Sequence, residues 1–461
     1  MLMTTITILG TSDIHGFLPT SLGLEPTDIS AASHGSAGIL SGAAIRHAHG
    51  SERTLLIDAG DYYFGSPYAT FAHCVRANDT QTTQPAQTDG GSAFLSPLTK
   101  SALICGYDAM APGNHDFDHG VGVLRAQQPF LGEKLVCCNV FDLSGTRIFP
   151  AYRILELADV SVAVIGAVTG ALPQLTAFAN TADIIVDDAV QCIADAVHEV
   201  RKQVDLVILA YHGGIERDMA DGRPTQYDTG EDQAYRILDS IQGIDGMICG
   251  HQHRTAYGES HGALYVQPGY QGEFVGAMRF ELEADHSIRS QSASLFDTTA
   301  LDPEHALDVQ SNLALREAFN LPRYRRWLEG PIDVSHFAQY VTDKTGIRSY
   351  RYTWRDGCCK PFETARSTSP RISVETFKRS FPSPYALSVF RLTEEEYQAL
   401  AERDIIAWSG SQHPRPETLG GYRVITNDPQ AFPAYRLERC SVDNVFDEYI
   451  AQVADSTRYA A

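Results

Sequence analysis

Over its first 280 residues the chain alternates short apolar runs with polar loops. Ile6-Thr7-Ile8-Leu9, Leu55-Leu56-Ile57, Leu206-Val207-Ile208-Leu209 and Met247-Ile248-Cys249 are rich in large aliphatic and β-branched residues and run into glycine or polar positions. That is the pattern of strands buried on both faces of a sheet. Residues 134–140, 152–168, 265–269 and 276–282 read as further strands. Residues 38–49, 93–105 and 187–203 instead space their apolar positions at helical intervals, as Val190, Ile193, Ala194, Val197 and Val200 do. Arg46, His47 and His49 at the end of the first helix read as a solvated face. Tracts 20–37 and 76–91 read as loops, the second a surface loop or lid edge with almost no apolar residue. The alternation predicts a mixed α/β fold. Periodicity alone leaves open one doubly wound sheet or two sheets face to face.

The polar residues directly behind the strands change the picture. Asp13 and His15 follow the first run, Asp61 the second, His212 the third, and His251 and His253 the fourth. A fifth piece, Gly113-Asn114-His115-Asp116-Phe117-Asp118, follows Gly106–Pro112. Such residues at the C-terminal ends of neighbouring strands can converge on one edge of the sheet. Two aspartates, one asparagine and four histidines suit two divalent ions better than one, because each ion takes about four or five nitrogen and oxygen ligands. A carboxylate can bridge the pair, and two ions roughly 3.5–4 Å apart can clamp the attacking and leaving oxygens of a phosphoryl displacement. Any one piece is ordinary loop chemistry. Five behind five strands are not.

Asp13-x-His15, Gly60-Asp61, Gly113-Asn114-His115-Asp116, His212 and Gly250-His251-x-His253 together resemble the signature of the calcineurin-like metallophosphoesterases. The longer stretch Gly106–Asp118 is similar to the branch with 5′-nucleotidases and 2′,3′-cyclic-nucleotide phosphodiesterases, and Gly230-Glu231-Asp232-Gln233-Ala234-Tyr235 resembles an element of its cyclic-phosphodiesterase side. The resemblance implies a four-layer αββα sandwich. It also implies Asp13, His15, Asp61 and His253 on one ion, and Asp61, Asn114, His212 and His251 on the other, with Asp61 bridging. A water acidified between the ions would be the nucleophile. His115 would face the leaving group, oriented by Asp118, although Asp118 could alternatively cap the helix that follows. Asp116, His119 and His73 read as structural.

The resemblance fades after residue 300. The polar stretch 285–300 is the expected domain boundary, giving a first domain over 1–295, a helical linker over 296–330 that ends in Arg323, Arg325 and Arg326, and a smaller C-terminal α/β domain over 331–461. Arg366–Phe377 and Phe381–Val389 faintly resemble the substrate-binding domain of 5′-nucleotidases. That points to Arg366, with Arg371 and Tyr385 behind it, as substrate contacts. The elements are rewritten, however. The usual Asn-Gly-Gly-Gly run is missing, Ser383 stands where an aromatic is usual and Tyr385 where an asparagine is usual. A nucleotide phosphoesterase is the leading expectation. A phosphatase for another small metabolite, or a binding protein that keeps the fold, are the alternatives.

At 461 residues the chain is too long for a single core. Its formal charge of −21 argues against a nucleic-acid surface, which needs a basic stripe. It leaves room for an anionic substrate, since two divalent ions would supply local positive charge. The nine cysteines are an odd number without C-x₂-C spacing, so neither a disulfide framework nor a zinc knuckle is expected. No apolar run is long enough to span a membrane, and nothing before the first strand resembles an export signal. The expected compartment is the cytoplasm. Mn²⁺ or Zn²⁺ head the candidate metals, and Fe²⁺ and Co²⁺ suit the same ligands.

Overall fold

The structure is a computed structural model. It describes residues 4–19, 36–50, 53–78, 95–157, 159–176, 178–299, 301, 307–329, 331–333, 337–345, 347, 349–351, 371–374, 386–402, 407–408, 422–426, 436–443 and 449–450. The chain divides into two compact units. The first takes Met1–Ala72, Thr82–Pro173 and Phe178–Asn320, and the second His73–Gln81, Gln174–Ala177 and Leu321–Ala461.

The strands of the first unit are β1 (Thr4–Thr11), β2 (Thr54–Asp58), β3 (Ala109–Met110), β4 (Val140–Asp142), β5 (Tyr152–Leu157), β6 (Val160–Val168) and β7 (Ile184–Val186). They continue as β8 (Leu206–His212), β9 (Gly246–Cys249), β10 (Thr255–Ser260), β11 (Ala263–Pro268), β12 (Phe274–Leu282) and β13 (Ile288–Asp297). One sheet has the order β13-β12-β1-β2-β3, and another β10-β11-β9-β8-β6-β5. Within them β1, β2 and β3 run parallel, as do β6, β8, β9 and β11. Their C-terminal ends therefore fall along shared edges.

The continuous apolar runs follow from burial on both faces. In β8, Leu206, Ile208 and Ala210 pack with Ile6, Ile8, Leu55, Ile57, Met278 and Phe280 of the other sheet. The alternate residues Val207, Leu209 and Tyr211 pack with Ile193, Val197 and Val200 of the helix Ala189–Val200. That is the two-residue period of a strand with a core on either side. The helix starts where Asp188 accepts the Gln191 N–H. On the far side of the first sheet, the helix Ser41–His49 covers β1, β2 and β12. The result is helix, sheet, sheet, helix, so the two-sheet alternative holds.

Several expectations need correction. Residues 152–168 form two antiparallel strands, β5 and β6, rather than one. In 134–140 the strand begins only at Val140, which pairs with Val186, while Leu135 makes a single bridge to Met110. Arg46 is not a solvated end. Its guanidinium donates to the carbonyls of Gly106 and Thr54 and pairs with Asp108 at 3.1 Å, tying the helix to the approaches of β2 and β3. The polar stretch after residue 285 holds β13, an edge strand paired with β12, whose polarity suits its open side.

The second unit holds a five-stranded sheet ordered Ala407–Trp408, Ser349–Arg351, Tyr422–Thr426, Ala386–Leu392, Arg436–Asp443. Phe390, Leu392, Tyr397, Leu400, Tyr422 and Val424 form a core of its own. The helix Glu394–Ala401 begins in a reciprocal Thr393–Glu396 capping box. Among the described residues, no helix is long and apolar enough to cross a membrane.

Candidate metal centre

Three of the strand ends turn sharply at candidate ligands. Asp13, His15, Asp61, His251 and His253 all have left-handed backbone, with φ of 55°, 52°, 55°, 70° and 55°. Non-glycine residues avoid that region, and its clustering at one place marks strain held by the surrounding structure. The loops hold one another. Asp13 N–H donates to Gly60 O, His15 N–H to Asp61 O, and Gln271 N–H to Asp13 O. Buried Asp116 accepts from the N–H groups of Asp61, Tyr63 and Gly113 at 2.8–2.9 Å, which is the structural role expected of it. Burial first, and then the neighbouring Asp61 carboxylate, push its pKa up to about 6.

Glycine is required where the loops meet most closely. A Cβ on Gly113 would sit 2.1 Å from Asp61 Oδ1, and one on Gly250 would sit 1.9 Å from Ser12 Oγ and 2.5 Å from Asp13 Oδ2.

Among the described residues two groups of donor atoms converge, Asp13 with His15 and His253, and Asp13 with Asp61 and His212. His253 Nε2 lies 3.4 Å from Asp13 Oδ1 and 3.0 Å from His15 Nε2. His212 Nε2 lies 3.2 Å from Asp61 Oδ2 and 3.1 Å from Asn114 Oδ1. Asp61 Oδ1 accepts the His115 N–H at 2.8 Å. The other oxygen, Oδ2, is buried with no hydrogen-bond partner and stands between His212 Nε2 and His15 Nε2, the latter at 3.8 Å.

The histidine tautomers sharpen this. His15 Nδ1 faces Phe64 O at 2.6 Å and His212 Nδ1 faces Ala59 O at 2.8 Å. Each donates its Nδ1–H to a carbonyl, so each neutral ring turns the Nε2 lone pair inward. In that neutral form lone pairs and carboxylates crowd together, and such a set calls for positive charge between them, a proton or a metal ion. The electrostatics show the same demand for positive charge, which a proton on His212 meets when no metal ion is bound. Burial alone would lower the His212 pKa, but Asp61 and Asp13 pull it up to about 9. Burial wins at His15, whose pKa falls to about 4. Asp61 is held well below the carboxylate range although burial opposes this, mainly by His212 and His115. The donors fit divalent ions.

His251 is arranged differently. Its N–H donates to both Asp13 oxygens at 3.1 Å, its ring meets that of His212 edge-on at 5.4 Å, and its Nε2 lies 2.7 Å from Glu231 Oε1. His115 stands beside His15, ring centroids 5.4 Å apart, and its Nδ1 bonds to Asp118 Oδ2 at 2.8 Å. Asp118 does not cap the next helix, Val121–Leu131, whose N-cap is Gly120. Arg366 and Tyr385 lie outside the described residues, and Arg371 begins the short strand Arg371–Ser373.

Sequence reasoning missed three contributors. Glu231 bonds His251. Gln252, between the two site histidines, accepts the Ile215 N–H and donates to Asp232 Oδ2. Tyr270 lies flat on His253, 5.0 Å between centroids and 4° between planes. Gln252 stands between two motif residues and Glu231 within the Gly230–Tyr235 element already singled out, whereas nothing in the sequence marks Tyr270.

The calcineurin-like phosphoesterase family model matches residues 6–255. The trifunctional nucleotide phosphoesterase YfkN of Bacillus subtilis is 24% identical over 334 residues, 66% of this chain and 22% of its own length. Protein UshA of Yersinia enterocolitica is 31% identical over 121 residues, 26% of this chain and 22% of its own. The chain thus spans about a fifth of these curated relatives. The solved structure of the Haemophilus influenzae NAD nucleotidase NadN has a TM-score of 0.62 at 13% identity, covering 100% of this chain and 99% of that one, which is a likeness of fold.

Proposed function

The chain belongs to the calcineurin-like phosphoesterase family, and from that premise we propose that it hydrolyses phosphate esters of nucleotides with two divalent ions. The observation that carries the reading is the buried, unpartnered Oδ2 of Asp61 between two inward-facing imidazole nitrogens. Asp13, His15, Asp61 and His253 would hold one ion, and Asp61, Asn114, His212 and His251 the other. When bound, the ions supply the positive charge that acidifies a water and neutralises a phosphoryl oxygen. The protein's own part is separate. Asp118 accepts the Nδ1–H of His115 and would favour its imidazolium form, whose Nε2–H would pass its proton to the leaving alkoxide.

The substrate class follows the named relatives, a nucleotide phosphoesterase among them. Arg366, with Arg371 and Tyr385, is the proposed contact to the substrate's far end. Ser383 in place of an aromatic removes a stacking partner worth about 1–3 kcal/mol by analogy with nucleic-acid sites. Base selectivity should therefore be weak. The cysteines Cys105, Cys137, Cys138, Cys192 and Cys249 are free thiols, which supports a cytoplasmic setting. Mn²⁺ and Zn²⁺ are the leading metals in this reading.

A phosphate-release assay with Mn²⁺ tests the reading across AMP, GMP, UMP, 2′,3′-cyclic AMP, sugar phosphates and p-nitrophenyl phosphate. Hydrolysis of nucleotides with little difference between bases is expected, and it should be abolished by chelator. Turnover of sugar phosphates alone would favour the other-metabolite phosphatase, and none at all a binding protein.

A further inference from the structure

His15 and His212 share one arrangement, Nδ1–H to a backbone carbonyl and Nε2 inward. His251 departs from it, because its Nε2 is taken by Glu231 Oε1 at 2.7 Å. An ionised carboxylate can only accept, so the proton lies on Nε2 and the ring's remaining lone pair is on Nδ1.

Glu231 is not a loose surface acid that happens to be near. Its carbonyl accepts the Thr169 hydroxyl at 2.6 Å, and the Thr169 N–H donates in turn to His212 O. The next residue, buried Asp232, accepts the Gly214 N–H at 2.6 Å and the side-chain amides of Gln226 and Gln252 at 2.6 and 2.8 Å. Gln252 lies between His251 and His253, and Gly214 lies two residues after His212. One short loop is therefore pinned to two of the strand ends that carry candidate ligands, those of β8 and β9, and it presents a single carboxylate to a single imidazole.

We propose that Glu231 is a positioning residue that fixes the tautomer and orientation of His251, so that this histidine offers Nδ1 where its neighbours offer Nε2. The inference rests on the dinuclear reading above and deepens it. It makes Glu231 part of one ion's affinity and no part of the other's. Partners that orient a ligating histidine are typically worth about 10- to 100-fold in metal affinity.

The test is calorimetric titration of the metal-free full chain with Mn²⁺, for the wild type, Glu231→Ala and Glu231→Gln. Two sites are expected in the wild type. One of them should weaken roughly 10- to 100-fold in Glu231→Ala. Glu231→Gln should keep most of that affinity, because its amide oxygen still accepts from Nε2–H. In EDTA all three proteins should melt together. Unchanged binding by Glu231→Ala overturns the inference while leaving the two-ion reading intact. A Glu231→Gln variant as impaired as the alanine would mean that the carboxylate is itself a ligand, which also overturns it. Early melting of a variant in EDTA would show a merely structural role and count against it as well. A wild type that takes up one ion or fewer overturns the two-ion reading and this inference with it.

Discussion

Residues at this site hold unfavourable conformations for the sake of where their side chains point. Left-handed backbone at Asp13, His15, Asp61, His251 and His253 costs on the order of 1–3 kcal/mol per residue, and the loop-to-loop hydrogen bonds keep it in place. Gly113 shows how little room remains. Gly113→Ala should displace Asp61, since its new Cβ would lie 2.1 Å from Asp61 Oδ1 and 2.3 Å from the Asp61 nitrogen. Metal content by plasma mass spectrometry should fall with it, and full retention would show that the loop adjusts freely. His115 should behave in the opposite way. Its ring bonds to Asp118 and belongs to neither donor group, so His115→Ala, which keeps the backbone N–H on Asp61, should lower kcat about 10²–10⁴-fold with metal content near wild type. Loss of both ions in that variant would make His115 a ligand. The ligand types and their order were legible in the sequence because each stands directly behind an apolar run. Glu231 was not, because its link to His251 is made by the folding-back of a loop, which residue type does not encode.

Elements place these residues, and the sheets are joined at the other end too. His286, in the turn between β12 and β13, donates from Nδ1 to Asp205 Oδ1 at 2.9 Å, just before β8 in the second sheet. Asp159 stands 3.8 Å from its other nitrogen. The bond to Asp205 raises the His286 pKa. Asp205 is lowered although burial opposes it, through bonds from Ser161 and His286. A raised histidine contributes stability that is complete below its unfolded value of about 6.5 and is lost as pH climbs through the folded value. A lowered aspartate contributes above its unfolded value of about 3.9 and loses this as pH falls through the folded one. The pair therefore acts fully between those two values. For a half-exposed pair it should be worth roughly 0.2–1 kcal/mol. His286→Ala should lower the melting temperature more at pH 5.5 than at pH 8.5, and an equal loss at both would remove the ionic account. The buried strands were legible because both their faces are apolar. The break between β5 and β6 was not, since the apolar pattern runs across a turn that only pairing reveals.

At the scale of the whole molecule, a chain of formal charge −21 concentrates buried carboxylates and imidazoles at one sheet edge, where they suit cations and, through them, an anionic ester. The first unit carries all of this machinery. The second unit has a core of its own, and the part proposed for it in choosing the substrate would rest on Arg366 and Tyr385, singled out from the sequence. A two-domain plan was legible from length and from the change of pattern after residue 300, whereas the reach of the first unit to Asn320 was not, because the helix Val309–Phe319 that packs on the helix Pro97–Cys105 reads from sequence as a linker. Everything else depends on seven side chains, Asp61 among them as the bridge, holding a pair of ions. Metal content per chain tests it most directly, measured on protein purified without chelator and again after reconstitution with Mn²⁺ and removal of free metal. The account predicts two divalent ions per chain, and one or fewer after reconstitution would contradict it.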